Sequence, residues 1–497
     1  MYLIGIDIGT TNTKVVLYET NGRMVAVQSE PTIGHEDGPG MVHYDPTEIW
    51  AAACKGIKAV LSKVDNPSDV LGISACSMGE ALAGIDENGT ETGWSFPWND
   101  QRTRDSGPWW REHFTDEEIY IATGEPALFK NGINHLLYIK NKMPDVFKRV
   151  KQWLHLADFI TYKLSGEAVS NLPIVGGSMM YHNERKDWWD EMLSAAGIPR
   201  DVLTPLADSG TLLGPVCQRA QKETGLTANT KVAVGGHDHI TAALACDIVR
   251  AGDTINSVGT AETVMRVTDK LLDGRKVMET GLLHHHHVVK GKYYLACSLP
   301  NGSGTINWAF KNIGNCEKFE DNLAQAMKAG AGSNGLLFVP HLLGSGSPTN
   351  DDSARGAFIG LRVGSTKADM LRAVHEGLVY EFRAALEVMD EFAGSGSGKI
   401  VGVSGGFRNE LTRQLKVDMT GLEYVLPEIE EASTLGAALL GGIAAGVYAS
   451  YEEAADAIEA KKVLVKPNSE NKCAYDKAFN LYKDIYQSLK KINHSIN

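Results

Sequence analysis

Residues 2–18, YLIGIDIGTTNTKVVLY, restrict what this chain can fold into more than any other segment. An apolar run ends at Asp7, a short turn of Gly, Thr and Asn follows, and a second apolar run starts at Val15. The pattern reads as two buried strands joined by a tight turn, with one carboxylate at the turn. Two readings are open. In one, small residues bring backbone N–H groups and hydroxyls up to a polyanion, and Asp7 holds a cation against it. In the other, Asp7 only closes a hairpin through an Asx-type hydrogen bond.

The 497 residues are too many for one core, so two or three domains are expected. No run approaches the roughly 18 consecutive apolar residues of a membrane span. The apolar start lacks the basic flank and cleavage site of a signal peptide, so a cytoplasmic chain is expected. Seven scattered cysteines without a CxxC spacing argue against a zinc ribbon and a disulfide framework. A net charge of −13 without a basic stripe makes nucleic acid a poor partner.

Short apolar strands alternate with amphipathic helices, the mark of α/β domains. Strands are expected at 2–8, 14–19, 23–28 and 70–75, with a helix over 46–63. From 105 to 200 the chain gains helix formers and tryptophans (Trp109, Trp110, Trp153, Trp188, Trp189), which predicts a mostly helical insertion with these rings in its core. A strand at 231–235 runs into Gly236-His237-Asp238-His239, and a helix is expected from 240 to 248. The segment 252–265 then repeats the opening theme of strand, Gly/Thr turn and strand. Apolar residues at three-to-four spacing predict a long helix over 366–392, ending in a flexible loop at 394–398. A strand at 400–403 leads into Ser404-Gly405-Gly406-Phe407-Arg408-Asn409, and a lysine-faced helix over 471–491 closes the chain.

Four Gly-rich or acid-bearing turns thus follow apolar strands, at 7–13, 236–239, 259–263 and 404–409. Together they suit a nucleoside triphosphate: two turns for phosphates, an acid for a metal, and a Gly-Gly floor for a base. Neither GxxxxGK[ST] nor GxGxxG opening a βαβ unit occurs, so the fold is not one of those nucleotide binders.

Ordered landmarks now carry a resemblance. DIGTTNTK, PWNDQRT at 97–103, WLHLADFITYKLSG at 153–166, GGHDH at 235–239, SVGTAET at 257–263, ARGAFIGL at 354–361, SGGFRNELTRQLKVDMTG at 404–421 and EASTLGAAL at 431–439 are similar to those of the FGGY carbohydrate kinases. The resemblance covers nearly the whole chain. It implies α/β architecture with two ribonuclease-H-like (actin-like ATPase) domains, 1–247 for the sugar and the catalytic base and 248–497 for ATP, facing a cleft. It implies phosphoryl transfer from ATP, with Mg²⁺, to a hydroxyl of a small sugar or polyol, most readily a ketose such as xylulose. Asp238 would be the base, with an N-cap of the following helix as its structural alternative. Asp7 would hold Mg²⁺, while Thr10, Thr11 and Asn12, then Gly259 and Thr260, meet phosphates. Gly405, Gly406 and Asn409 would meet adenine. Glu80, Asn99, Asp100, Arg102 and His239 would face the acceptor, although Arg102 reads in preference as half of a buried ion pair. A homodimer is compatible with the resemblance.

Departures leave the acceptor open. Gly344-Ser345-Gly346-Ser347-Pro348-Thr349-Asn350-Asp351 replaces a charged pair by small residues, and His135-Leu136-Leu137-Tyr138 stands where a lysine commonly opens the segment. Fuculose, a tetritol, glycerol or gluconate fit the same landmarks; an actin-like ATPase switch, from another class, would share the cleft, but PWNDQRT and the 354–376 match favour the kinase. The run His284-His285-His286-His287 reads as an ordinary strand in preference to a metal site, because alternate residues point to opposite faces.

Overall fold

The structure, a computed structural model, describes residues 1–314, 318–394, 396 and 399–496. Cys316 lies outside them, as do residues 395, 397 and 398 of the loop expected to be flexible. Two seven-stranded sheets dominate. In the first, Tyr2–Ile8 pairs antiparallel with Asn12–Glu19 and parallel with Val70–Ser77. In the second, Thr254–Val258 pairs antiparallel with Glu262–Thr268 and parallel with Lys399–Val403. The repeated strand–turn–strand theme therefore occupies the same place in both sheets.

The period-two rule explains why the opening strands are apolar throughout. Ile4, Ile6 and Ile8 pack with Ile49, Ala53 and Ile57 of the Pro46–Leu61 helix on one face. Leu3 faces the other way, onto Leu244, Leu435 and Leu439. That second face is covered by a helix from far along the chain, Ala432–Ala444. The two backbones touch: a Cβ on Gly5 would lie 1.8 Å from Thr434 O, and one on Gly72 would lie 2.2 Å from Gly441 O. Glycine is required there by proximity alone.

The insertion is mostly helical, as expected, with Trp110, Trp153, Trp188 and Trp189 in its core and Trp109 packed against it. Thr366 caps the long helix Lys367–Ala393 through a reciprocal box with Asp369. The single closing helix expected over 471–491 is instead two, Lys472–Lys483 and Ile485–Ile496, with Tyr475, Phe479 and Tyr482 buried beneath the first. Among the described residues no helix is long and apolar enough to cross a membrane.

Candidate active site

The two hairpin turns are built alike. Gly9 N–H donates to Asn12 O at 3.0 Å, and Gly259 N–H donates to Ala261 O at 2.8 Å. These closures leave Thr10, Thr11, Gly259 and Thr260 exposed at the tips and Asn12 partly so. Asp7 stands one step behind the first tip, opposite Lys14 on one neighbour and Cys76 on the other. Lys14 Nζ reaches away to Glu431, donating to both carboxylate oxygens at 2.9 Å. Asp7 Oδ1 is therefore left buried with no hydrogen-bond partner. Burial, then the nearby charge of Asp238, pushes the Asp7 carboxyl up to about 7, against the opposing pull of Lys14 and the Cys76 thiol. A buried carboxylate oxygen without a donor suits a hard cation such as Mg²⁺.

Asp238 opens the helix Asp238–Ala245 but does not cap it; the cap is His237. The helix thus starts two residues earlier than the sequence suggested. His237 Nδ1 and the His239 backbone N–H lie 2.7 and 2.6 Å from Asp238 Oδ1, and the half-turn places His239 Nε2 at 4.0 Å. Burial alone would raise this acid, yet the charges of His239 and His237 and the two hydrogen bonds hold it well below the usual carboxylate range. Asp238 is 23% exposed, so an ionised carboxylate is open to solvent near Asp7.

Gly259, Gly405, Gly406 and Asn409 line one cavity of about 570 Å³, walled by Ile306, Phe319 and Leu323. Gly406 is forced by packing, since a Cβ there would sit 2.4 Å from Val258 Cγ1, whereas one on Gly405 would meet nothing within 4 Å. Asn409 Oδ1 caps the helix Glu410–Thr420 through Thr412 N–H, and Asn409 Nδ2 remains buried and unpartnered. The cavity has a flat glycine floor, an apolar wall and one free amide donor, a donor set that fits a purine. Gly405 and Arg408 also line a groove of about 1220 Å³ that runs to Glu431, the partner of Lys14. Gly405 is thus shared by the cavity and the groove.

The remaining expected residues divide. Glu80 is 6% exposed at the end of the strand Val70–Ser77, in a left-handed conformation at φ 67°. His239 is exposed beside Asp238. Asn99 is exposed, whereas Asp100 and Arg102 form a buried ion pair at 2.6 Å. Asp100 also accepts from Val42 N–H, and Arg102 extends to Asp37 and stacks on Phe96 at 3.9 Å. These two side chains tie the Gly34–Tyr44 hairpin to the 97–103 loop. His284–His287 are all buried, the first three in the strand Leu283–His286 that pairs with Tyr293–Leu299, and no group of metal-ligating side chains occurs among the described residues.

Comparison with known proteins decides the lineage. Residues 2–245 match the N-terminal domain of the FGGY family of carbohydrate kinases, and residues 254–445 match its C-terminal domain. The chain is an FGGY carbohydrate kinase. Its family identity makes it a sugar phosphotransferase, and kinases of this family use ATP as donor. The xylulose kinase of Bacillus subtilis (strain 168) is 27% identical over 498 residues, covering 100% of this chain and 98% of that one. The gluconokinase of the same strain is 26% identical over 472 residues, covering 92% and 90%. A ligand-bound xylulose kinase from Lactobacillus acidophilus superposes with a TM-score of 0.88 at 26% identity, over 100% of both chains.

Several residues of this kinase's cleft escaped sequence reasoning. The Lys14–Glu431 pair joins positions far apart in the chain, and a lysine on a hairpin edge looks ordinary alone. Phe319 and Ile306 sit on amphipathic helices whose apolar faces read as core. Glu125, buried at 3%, follows a helix end and carries no motif.

Proposed function

We propose that this kinase transfers the γ-phosphoryl group of ATP to a hydroxyl of a ketopentose such as xylulose. Asp238 carries the reading: it is an ionised carboxylate facing the cleft, electrostatically coupled to Asp7. Asp238 accepts the proton of the attacking hydroxyl, and His237 and His239 keep it ionised and aimed. Asp7, whose Oδ1 is buried without a partner, would hold Mg²⁺. The exposed tips at Thr10, Thr11 and Asn12 and at Gly259 and Thr260 offer donors to the phosphates. Gly405, Gly406 and Asn409 seat the adenine. When bound, ATP would supply the phosphoryl group and Mg²⁺ the positive charge that offsets the negative charge of the phosphates.

Glu80, His239 and the exposed Asn99 face the acceptor, and Asp100 and Arg102 act by holding the loop in place. A division at 247/248 assigns the base to the first domain and the nucleotide to the second, although the Ala432–Ala444 helix packs on the first sheet. The six cysteines among the described residues are unpaired, which supports a reducing, cytoplasmic setting.

The test is Asp238→Asn in a coupled ADP-release assay with xylulose. We expect turnover to fall roughly 10²–10⁴-fold, the contribution of a positioned base. Near-full turnover on the best acceptor would remove Asp238 from the role.

A further inference from the structure

The two halves of the chain repeat one construction, and the repeat gives Ser257 a place. Tyr2–Ile8 runs out through Asp7-Ile8-Gly9-Thr10, and Thr254–Val258 through Ser257-Val258-Gly259-Thr260. Ser257 therefore holds in the second sheet the position that Asp7 holds in the first. Side chains alternate along a strand, which puts Asp7 on the face of Leu3 and Ser257 on the face of Ile255. Leu3 and Ile255 belong to one hydrophobic cluster, together with Leu244 and Leu435 of the helices Asp238–Ala245 and Ala432–Ala444. Asp7 and Ser257 thus stand on the two sheet faces that look toward each other across this layer.

Ser257 also lies where the sheet changes direction. Thr254–Val258 and Lys399–Val403 are parallel neighbours; the other partner of the first is Glu262–Thr268, and that of the second is Glu423–Pro427. Open α/β sheets take their ligands in the crevice beyond the carboxyl ends of two such strands. There Ser257 Oγ and Ser404 Oγ share a solvent-exposed hydrogen bond of 2.8 Å. Ser404 is held at φ 79° and ψ 168°, a region that glycine alone adopts without strain. Glycine would relax this backbone, so the strain is tied to keeping a hydroxyl there. Ser404 lines the groove shared with Glu431, whose charge acts on Asp7. Ser404 immediately precedes Gly405, and Ser257 lies two residues before Gly259; both glycines line the base-shaped cavity.

We propose that Ser257 and Ser404 are a further contact for the phosphates of the donor nucleotide, their hydroxyls donating to phosphate oxygens from the side opposite Asp7. The inference rests on the proposed seating of ATP between the two hairpin turns. A hydroxyl both donates and accepts, so each serine can release the other and turn its O–H to a phosphate. Such bonds to a charged acceptor are stronger than the neutral one they replace. The departure from symmetry has a physical sense. A carboxylate at Asp7 suits the cation, whereas a second carboxylate at Ser257 would repel the anion that the cation accompanies.

The experiment titrates the full chain with MgATP by calorimetry and follows ADP release with xylulose. Ser257→Ala and Ser404→Gly are each expected to raise Kd for MgATP about tenfold, the loss of one hydrogen bond to a charged group. KM for ATP should rise with it, and KM for xylulose should stay within about twofold. Ser404→Gly should at the same time raise the urea midpoint, because the strain leaves with the side chain. Weaker nucleotide binding by a more stable chain does not come from unfolding. Both variants binding MgATP as tightly as the native chain overturns the inference and leaves the kinase reading standing on Asp238. ADP release that no acceptor stimulates overturns the kinase reading, while weakened MgATP binding by the variants would still uphold the serine contact.

Discussion

Gly436→Ala tests whether Asp238, the proposed base, is positioned by a backbone-to-backbone crossing. Gly436 lies in the Ala432–Ala444 helix, and a Cβ there would fall 1.8 Å from Thr241 O and 2.4 Å from Thr241 C. Ordinary contact requires the two helices to part by roughly 1.5 Å. The helix cannot retreat the other way, because Thr434 O and Gly441 O already press on Gly5 and Gly72 of the sheet. Alanine gains about 1 kcal/mol of helix propensity over glycine, but overpacking a rigid contact costs about 1–3 kcal/mol or more. The clash wins, and we expect a net loss of about 2 kcal/mol in urea unfolding. Function should suffer more than stability. Thr241 Oγ1 donates to Asp238 O at 2.8 Å, so moving Thr241 moves the first turn that holds the base. A misplacement of about 1 Å is worth on the order of 10²-fold in kcat. Gly330→Ala, where an added Cβ meets nothing within 4 Å, is the control and should stay within about 0.5 kcal/mol. An unchanged midpoint and kcat in Gly436→Ala would refute the packing argument.

Two further substitutions probe the two hairpin turns proposed to meet phosphates. Lys416 pairs with Glu262, just past the second turn, and both side chains are almost wholly buried. Lys416→Met strands that carboxylate and should cost about 3–5 kcal/mol by urea denaturation, with weaker ATP binding by titration; an unshifted midpoint would sink the idea. Asp7, raised from 3.8 to about 7, binds its proton more tightly in the folded chain, so its contribution to stability falls as pH rises from 4 to 7. Water reaching the half-buried residue leaves about 2 kcal/mol of the effect. In metal-free buffer Asp7→Asn should therefore overtake the native chain in urea midpoint between those pH values, and parallel profiles would contradict it.

What the sequence revealed depended on how local each feature was. The strand at 2–8 was legible because both of its faces are buried, which writes an unbroken apolar run. Asp238 was legible as an acid at a strand end, but its place as first helical residue was not, since His237 capping a helix is an uncommon choice. The closing helix read as one because Asp484 breaks it without proline or glycine. Glu431 and His285 were hidden for a different reason. Each takes its meaning from a partner, Lys14 or Glu125, that topology alone brings near, and no spacing along the chain encodes such a meeting.

The two cleft acids are tuned in opposite directions, and the difference has a use. Asp238 is held ionised by two histidines and a backbone N–H, so it can accept a proton across the whole physiological range. Asp7 has no such donors on Oδ1, and its nearest cation is turned toward Glu431. Were both acids fully ionised without a metal, two carboxylates would face each other in a poorly solvated place. Leaving Asp7 partly protonated removes that repulsion until a cation arrives. On the proposed reading, metal binding near neutral pH therefore expels a proton from Asp7, as deprotonated ligands require. The full negative charge of the cleft then develops only when MgATP is there to meet it. As the proposed base, Asp238 would gain nothing from waiting in this way, because its proton would come from the acceptor. That asymmetry is the physical reason for giving one acid a set of donors and denying them to the other.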